Sequence, residues 1–191
     1  MTIIFLIMVL MSPQYYNDGE VPFPGFLDIA FILFVIAGLT DMVDGTIARW
    51  MGVASKFGRM MDPLADKILV CGAFICFAIV GRPRLFDFAP ATMSAIHWSV
   101  AAIIVLREIY VTVIRHIAEA RGIEFAATFS GKIKMFIQSF GVGTVVMKMA
   151  HVQTAAWGSW FTTVTFIVMV LVTVISGVRA NLRSCLKQAS S

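Results

Sequence analysis

The stretch from Asp41 to Asp66, which reads DMVDGTIARWMGVASKFGRMMDPLAD, decides how the rest of the chain must be arranged. It holds four of the seven aspartates in the sequence, and long apolar runs flank it on both sides. Carboxylates this close to a lipid bilayer are costly unless cationic groups hold them there. The sequence therefore predicts a membrane protein with an acidic site concentrated at one membrane edge.

The composition supports this prediction. The chain has 191 residues, of which 59% are hydrophobic and 14% charged, and its mean hydropathy is +0.88. A soluble domain would have about 45–50% apolar and about 25% charged residues. Several apolar blocks are long enough to cross a hydrocarbon core of about 30 Å, and they are continuous rather than alternating. We therefore expect an all-α integral membrane protein with a single domain over residues 1–191.

Six apolar segments predict six transmembrane helices. The first, residues 1–11, is too short to span a bilayer alone, and we interpret it as an N-terminally truncated span whose beginning is missing. A polar, basic connection is expected between residues 116 and 134. The other five spans are predicted over Phe26–Trp50, Arg59–Val80, Met93 to about Arg115, Ile133–Met149 and Trp157–Val178.

The basic residues predict the orientation of the chain in the membrane. They are concentrated in the connection between spans two and three, in the connection between spans four and five, and in the C-terminal tail. The positive-inside rule then places the aspartates and both termini in the cytoplasm. Arg82 and Arg84, between spans three and four, run against this trend. The net charge of +4 thus indicates topology and anionic headgroups rather than nucleic-acid binding. The six-span layout and the absence of a transit peptide favour the bacterial plasma (inner) membrane as the location.

The four aspartates have the spacing of a convergent site. On helices, Asp41 and Asp44 share one face, and so do Asp62 and Asp66. Both pairs lie at facing ends of consecutive antiparallel spans that a short turn joins. Converging carboxylates repel each other unless divalent cations bind between them, and an all-oxygen ligand set favours Mg²⁺, Mn²⁺ or Ca²⁺.

Small residues accompany the aspartates at helical spacing. Gly45 and Ala48 follow the first pair by one turn, and Gly58 precedes Asp62 by one turn. Such a face leaves room for a bulky ligand to approach the backbone. Because Mg²⁺ is usually shared between carboxylates and substrate phosphates, a diphosphate is the expected ligand. Two metal ions would stabilise the charge on a displaced phosphate.

The spacing of these residues resembles the signature of the CDP-alcohol phosphatidyltransferase family. Every fixed position of that signature is met, including the eight-residue gap. The resemblance implies a six-helix membrane fold, a homodimer, a site for two Mg²⁺ or Mn²⁺ ions, and displacement of CMP from a CDP-linked lipid by an alcohol. The matching pattern is Asp41-x2-Asp44-Gly45-x2-Ala48-Arg49-x8-Gly58-x3-Asp62-x3-Asp66.

The resemblance also implies a role for each position. Asp66 would be a metal ligand and the general base for the acceptor hydroxyl, which agrees with the need to activate a hydroxyl. The other three aspartates of the pattern, Asp41, Asp44 and Asp62, would be metal ligands. The CDP-lipid would be bound by Gly45, Ala48, Arg49 and Gly58, with the arginine on a substrate phosphate.

Two further stretches indicate the acceptor. Leu106-Arg107-Glu108-Ile109, running on to Arg115, and Ser130 to Lys134 resemble the branch of the family that transfers the phosphatidyl group to sn-glycerol 3-phosphate and forms phosphatidylglycerophosphate. A phosphorylated acceptor needs several cations. The candidates are Arg107, Arg115, Lys132 and Lys134. The alternative is that these are topology charges, with Arg107 and Glu108 in a structural polar network.

Other functions stay open at this point. The same chemistry with inositol phosphate, serine or phosphatidylglycerol as acceptor is the nearest alternative. A cation transporter would need acidic residues near the bilayer midplane, whereas here they cluster at one end. Family members normally begin with an amphipathic segment, whereas this chain opens inside an apolar run. A truncated, catalytically silent membrane protein is therefore a third alternative.

Overall fold

The computed structural model of the protein describes residues 1–12, 25–50, 56–86, 88–120 and 129–189. Within these ranges, side chains are described except for those of residues 41–50, 56–66, 115, 118–120, 129–132, 180 and 182–189. The described ranges form six α-helices and contain no β-strand. The predicted all-α fold is therefore confirmed.

The helices follow the predicted apolar runs, and α3, α4, α5 and α6 extend beyond them. Helix α4 continues five residues past its predicted span, and α5 begins before its own, so residues 116–120 and 129–134 are helical. The polar connection predicted between residues 116 and 134 was therefore wrong at both ends. The helices are α1 Thr2–Met11, α2 Phe26–Trp50, α3 Lys56–Val80, α4 Pro90–Ala120, α5 Phe129–His151 and α6 Ala156–Ala189.

The six helices pack in a ring around a shared apolar core. Their spatial order is α1, α2, α5, α6, α4 and α3, with α3 closing the ring on α1 and also contacting α2 and α5. Each helix contributes at least one side chain that is at most 1% exposed. These residues include Phe5, Ala30, Phe77, Ile104, Val145 and Met169. One core therefore joins all six helices of the described ranges.

The bundle has two chemically different ends. At one end, which we call the aspartate end, α2 finishes with Asp41 and Asp44 and α3 begins with Asp62 and Asp66. At the other, which we call the loop end, α3 finishes at Val80, α4 and α6 begin, and α5 finishes. Each site described below belongs to one of these ends.

Glycines bring neighbouring helices close together. A Cβ atom on Gly72 of α3 would lie 2.8 Å from Leu6 Cδ1 of α1, and one on Gly141 of α5 would lie 3.0 Å from Met169 Sδ of α6. Small residues at such contacts are typical of membrane helices, which gain stability from close van der Waals packing. The α1–α3 and α5–α6 contacts therefore depend on these two positions.

The outer surface of the bundle is apolar. Two helical segments, Pro90–Ile114 and Ala156–Arg179, are long and apolar enough to cross a membrane, and only 28% and 39% of their apolar windows are buried. A core helix of a soluble protein would be mostly buried, whereas here Leu106 and Ile167 are 66% and 54% exposed. Exposed apolar faces of this extent fit contact with lipid. We conclude that this is a membrane protein.

Helix α1 is shorter than a membrane span. Its ten residues rise about 15 Å, which is half of a hydrocarbon core of about 30 Å. Apolar helical segments of intermediate length also occur over Phe26–Thr40 and Lys67–Val80. The apolar part of α2 thus ends directly before Asp41, and that of α3 begins directly after Asp66.

Candidate active site

The four aspartates lie on two contacting helices. Asp41 and Asp44 belong to the C-terminal half of α2, and Asp62 and Asp66 to the N-terminal half of α3. Helices α2 and α3 contact each other, and residues 51–55 between them lie outside the described ranges. The helical spacing on which the predicted convergence depends is therefore present in the backbone.

The side chains of this motif lie outside the described part of the structure. Convergence of the four carboxylates thus stays a prediction, as do the roles assigned to Gly45, Ala48, Arg49 and Gly58. Among the side chains that are described, no group of three or more His, Cys, Asp or Glu residues could hold a metal ion. The four aspartates stay the predicted metal ligands, and an all-oxygen donor set of this kind would suit a hard divalent cation such as Mg²⁺ or Mn²⁺.

A buried charge network joins three helices near the aspartate end. Glu108 of α4 is 7% exposed, and its Oε1 accepts a hydrogen bond of 3.0 Å from Arg107 Nη1. The same oxygen accepts a hydrogen bond from Nζ of Lys134, which lies on α5 and is 4% exposed. Arg107 Nη2 donates in turn to Ser176 Oγ of α6. One carboxylate thus bonds to two cations inside the bundle, and the network links α4, α5 and α6.

A second chain of hydrogen bonds runs from this network to α3. Lys67 Nζ donates to Thr112 Oγ1 over 2.7 Å, and Thr112 Oγ1 donates to the carbonyl oxygen of Glu108 over 2.6 Å. Lys67 is the residue directly after Asp66, the predicted general base. The charge network is therefore connected to the helix that carries the second aspartate pair.

Arg107 keeps one donor without an acceptor. Its Nε atom is buried and has no hydrogen-bond partner among the described residues. Gly177 of α6 lies beside it, where an added Cβ would be 3.4 Å from Arg107 Cγ and 3.9 Å from Nε. A buried donor left without an acceptor costs about 1–3 kcal/mol. An anionic ligand at this place would remove that cost.

The predicted acceptor residues divide into two groups. Arg107 and Lys134 are brought together around Glu108. Arg115 and Lys132 lie on α4 and α5, but their side chains fall outside the described residues. With one carboxylate between two cations, the described part of the network carries a net positive charge. It can therefore attract a phosphorylated ligand.

Sequence reasoning missed three members of the network, namely Lys67, Thr112 and Ser176. Lys67 carries a usable signal, because it directly follows a motif aspartate. Thr112 lies one helical turn after Glu108, a spacing at which a hydroxyl reaches back to a carbonyl of its own helix. Ser176 gives no signal in the sequence, because only the packing of α6 against α4 brings it to Arg107.

Comparison with known proteins supports the motif. Residues 1–176 match the family model described as CDP-alcohol phosphatidyltransferase. The match spans the aspartate motif and the whole buried charge network.

Curated relatives match over most of the chain. A protein of Mycobacterium tuberculosis named "Probable phosphatidylglycerophosphate synthase" is 30% identical over 178 residues, which cover 92% of this chain and 71% of the relative. A Bacillus subtilis protein named "CDP-diacylglycerol--glycerol-3-phosphate 3-phosphatidyltransferase" is 36% identical over 146 residues, which cover 76% of this chain and 68% of the relative. A Rickettsia felis protein of the same name is 28% identical over 144 residues, which cover 75% of this chain and 70% of the relative.

Proposed function

Because this chain belongs to the CDP-alcohol phosphatidyltransferase family, we propose that it transfers a phosphatidyl group from CDP-diacylglycerol to sn-glycerol 3-phosphate. The products are CMP and phosphatidylglycerophosphate. The observation that carries the proposal is the similarity to the M. tuberculosis and B. subtilis proteins, whose names specify this synthesis. The complete aspartate motif from Asp41 to Asp66 supports it.

Asp66 acts as the general base. Its carboxylate takes the proton from a free hydroxyl of glycerol 3-phosphate, and the hydroxyl oxygen forms a bond to the phosphorus that carries diacylglycerol. The bond from that phosphorus to the bridging oxygen breaks, and its electron pair leaves with CMP. Arg49 binds a phosphate of the CDP-lipid, while Gly45, Ala48 and Gly58 leave room for the nucleotide.

Asp41, Asp44, Asp62 and Asp66 would hold two Mg²⁺ or Mn²⁺ ions. When bound, the ions neutralise the diphosphate and stabilise the charge that develops on the leaving phosphate. The donor set supports this assignment, because four carboxylates in one motif suit hard cations. The metal ions also offset the repulsion between carboxylates that would otherwise oppose their ionisation.

The acceptor phosphate is bound by Arg107 and Lys134 together with Arg115 and Lys132. Two observations support this assignment: the excess of positive charge around Glu108, and the buried Nε atom of Arg107 without a described acceptor. Glu108 is a positioning residue that orients both Arg107 and Lys134. An acceptor without a phosphate, such as serine, would leave this cationic group without a phosphate ligand.

The enzyme is a homodimer in the plasma (inner) membrane. Each protomer has six membrane helices, and its active site faces the cytoplasm. The apolar surface of the bundle and the concentration of basic residues at the aspartate end support the orientation. A cytoplasmic site has direct access to soluble glycerol 3-phosphate. The homodimer rests on the family resemblance.

The test is release of CMP by the purified protein, supplied with CDP-diacylglycerol and Mg²⁺. Glycerol 3-phosphate, inositol 1-phosphate and serine are compared in parallel. We expect release only with glycerol 3-phosphate. Asp66→Asn should lower the rate at least about 100-fold, since general-base catalysis contributes typically 10²–10⁴-fold.

Asp28→Asn is the matched control for this experiment. Asp28 lies at the loop end of α2, and the same change there should leave the rate within about twofold of the wild type. Release with inositol 1-phosphate or serine alone would keep the site but overturn the acceptor. Absence of release with all three acceptors, in protein that still unfolds cooperatively, would contradict the enzyme function.

A further inference from the structure

A cavity of about 160 Å³ lies at the loop end of the bundle, between the α3–α4 loop and the end of α5. Its polar lining consists of Arg82, Arg84, Lys148, Gln153 and Thr154, so three cations face one small space. We call this cavity with its lining the loop pocket. It is much larger than the roughly 30 Å³ that one water molecule occupies in the liquid, so it admits a larger group.

Lys148 is the unusual member of the loop pocket. The residue is only 3% exposed, and its Nζ donates to two neutral acceptors, Val152 O at 3.2 Å and Ser159 Oγ at 3.1 Å. Neither Lys148 nor Arg84 forms an ion pair with any carboxylate in the described part of the chain. An ammonium has three donors, and a buried charge normally has a partner of opposite sign. An anionic ligand would supply the counter-charge that no described carboxylate gives to Lys148.

The loop between α3 and α4 carries two of these cations, Arg82 and Arg84. Helix α3 ends at Val80. The next residue, Gly81, has φ of +67° and donates its N–H to Phe77 O over 2.9 Å. The N–H of Arg82 bonds to the same carbonyl over 3.3 Å, so the chain leaves the helix through a left-handed glycine turn. This turn begins the loop that carries Arg82 and Arg84 to the end of α5.

Aromatic side chains show how deep the loop pocket lies. Trp157 and Trp160, in the first turns of α6, are 66% and 63% exposed. Trp160 stacks edge-on against Phe86 of the α3–α4 loop with ring centroids 5.2 Å apart. Exposed tryptophans at the ends of membrane helices sit at the level of the lipid headgroups. The pocket beside them therefore lies where phospholipid phosphates lie.

The geometry points to a binding site for the headgroup phosphate of an anionic phospholipid in the loop pocket, in the leaflet opposite to the active site. Arg84, Arg82 and Lys148 supply the positive charge, and Gln153 and Thr154 supply polar groups for the phosphate oxygens or the headgroup alcohol. Basic pockets between membrane helices bind lipid headgroups in this way. The site also explains why two arginines stand on the side that the positive-inside rule leaves poor in cations.

The experiment titrates the full chain in a neutral detergent with three soluble probes. These are short-chain phosphatidylglycerol, short-chain phosphatidylcholine and inorganic phosphate, and binding is measured by calorimetry. We expect phosphatidylglycerol to bind saturably and more tightly than phosphatidylcholine. Lys148→Met and Arg84→Gln should each weaken the binding of phosphatidylglycerol roughly fivefold, because each removes one cation at the level of the headgroups.

Two control variants separate this site from the rest of the molecule. Arg179→Gln removes an exposed cation from α6 at the aspartate end, and Asp66→Asn changes the proposed active site. Both should bind phosphatidylglycerol as the wild type does. Lys148→Met and Arg84→Gln should still release CMP at the wild-type rate, which shows that they fold.

Three results would overturn the inference. Equal affinity for phosphatidylglycerol in the wild type and both pocket variants would show that the pocket is not the site. Binding of inorganic phosphate that both variants weaken, without binding of either lipid, would assign the pocket to a free anion. Absence of binding by all three probes would mean that the charge of Lys148 is balanced within the chain.

Discussion

Lys134 and Lys148 lie on the same helix, α5, and both are buried, yet their charges are balanced differently. Lys134 is 4% exposed and bonds to the carboxylate of Glu108, whereas Lys148 is 3% exposed and bonds only to neutral oxygens among the described residues. Lys134 is near the aspartate end and Lys148 at the loop end. At about 1.5 Å per residue, they are about 20 Å apart along the helix.

The difference separates two ways of keeping a cation in a membrane protein. Around Lys134 the chain supplies its own anion, so the charge belongs to a permanent network of α4, α5 and α6. Around Lys148 the described residues supply hydrogen bonds but no negative charge. A charge balanced within the chain stabilises the fold in every environment, whereas a charge that awaits a ligand makes stability depend on that ligand.

The largest effect is expected from Glu108→Gln. This change keeps the shape of the side chain but leaves Arg107 and Lys134 buried without a carboxylate. Breaking a buried ion pair by removing one partner costs about 3–5 kcal/mol. The free energy of unfolding, measured by reversible titration with a denaturing detergent, should fall by this amount.

Ser99→Ala is the matched control on the same helix. Ser99 is exposed and bonds only to the carbonyl oxygen of Ala95, over 2.7 Å, in the described structure. Its replacement should change the free energy of unfolding by no more than about 0.5 kcal/mol. If Glu108→Gln were as stable as Ser99→Ala, the hydrogen bonds that Glu108 makes to Arg107 and Lys134 would not contribute to the stability of the bundle.

Smaller losses in the free energy of unfolding are expected when either buried lysine is replaced, and only the loss at Lys148 should depend on the lipid. Lys134→Met leaves Glu108 with Arg107 as its remaining partner, and we expect it to cost about 3 kcal/mol in any lipid. Lys148→Met should stay within about 1 kcal/mol of the wild type in phosphatidylcholine bilayers, because the lost hydrogen bonds are offset by removal of a buried charge.

Anionic lipid should make the stability costs of Lys134→Met and Lys148→Met respond differently. In bilayers that contain phosphatidylglycerol, the wild type gains stability from a ligand that binds the folded state, and Lys148→Met gains less. The cost of Lys148→Met should therefore grow with the phosphatidylglycerol content, while that of Lys134→Met stays constant. Equal dependence of the two variants on lipid would contradict the distinction between the two ends.

The sequence predicted which segments are helical better than it predicted where each helix begins and ends. Hydropathy marks the part of a helix that lies in the hydrocarbon, and it predicted the bounds of α2 as they are observed. It failed at the end of α4 and the start of α5, where residues 116–120 and 129–132 include polar and charged side chains but continue the helices. Helical hydrogen bonding persists where the membrane ends, so an apolar run gives a minimum length for its helix.

The candidate site was predictable where its members are close in sequence. The aspartate motif could be recognised because helical spacing decides which residues share a face. The pairing of Lys134 with Glu108 could not, because it joins positions on different helices and depends on how the whole bundle places α4 and α5. Lys148 gave no signal at all. A lysine near the end of an apolar span normally extends into the headgroup region, and only the packing around it shows that it is buried.

The smallest effect is expected from an exposed hydrogen-bonded pair of side chains at the loop end. Asp28 Oδ1 and His151 Nε2 are 2.6 Å apart and join the start of α2 to the end of α5, but their side chains are 38% and 52% exposed. Exposed pairs contribute about 0–1 kcal/mol, and Asp28 adds a similar small amount as an acidic residue in the first turn of a helix. Asp28→Asn should therefore lower the free energy of unfolding by less than about 1 kcal/mol, and roughly 1 M salt should abolish most of the difference. A salt-independent loss of about 3 kcal/mol would show instead that this pair is shielded from water as the Glu108 network is, and the contrast between the two ends would fail.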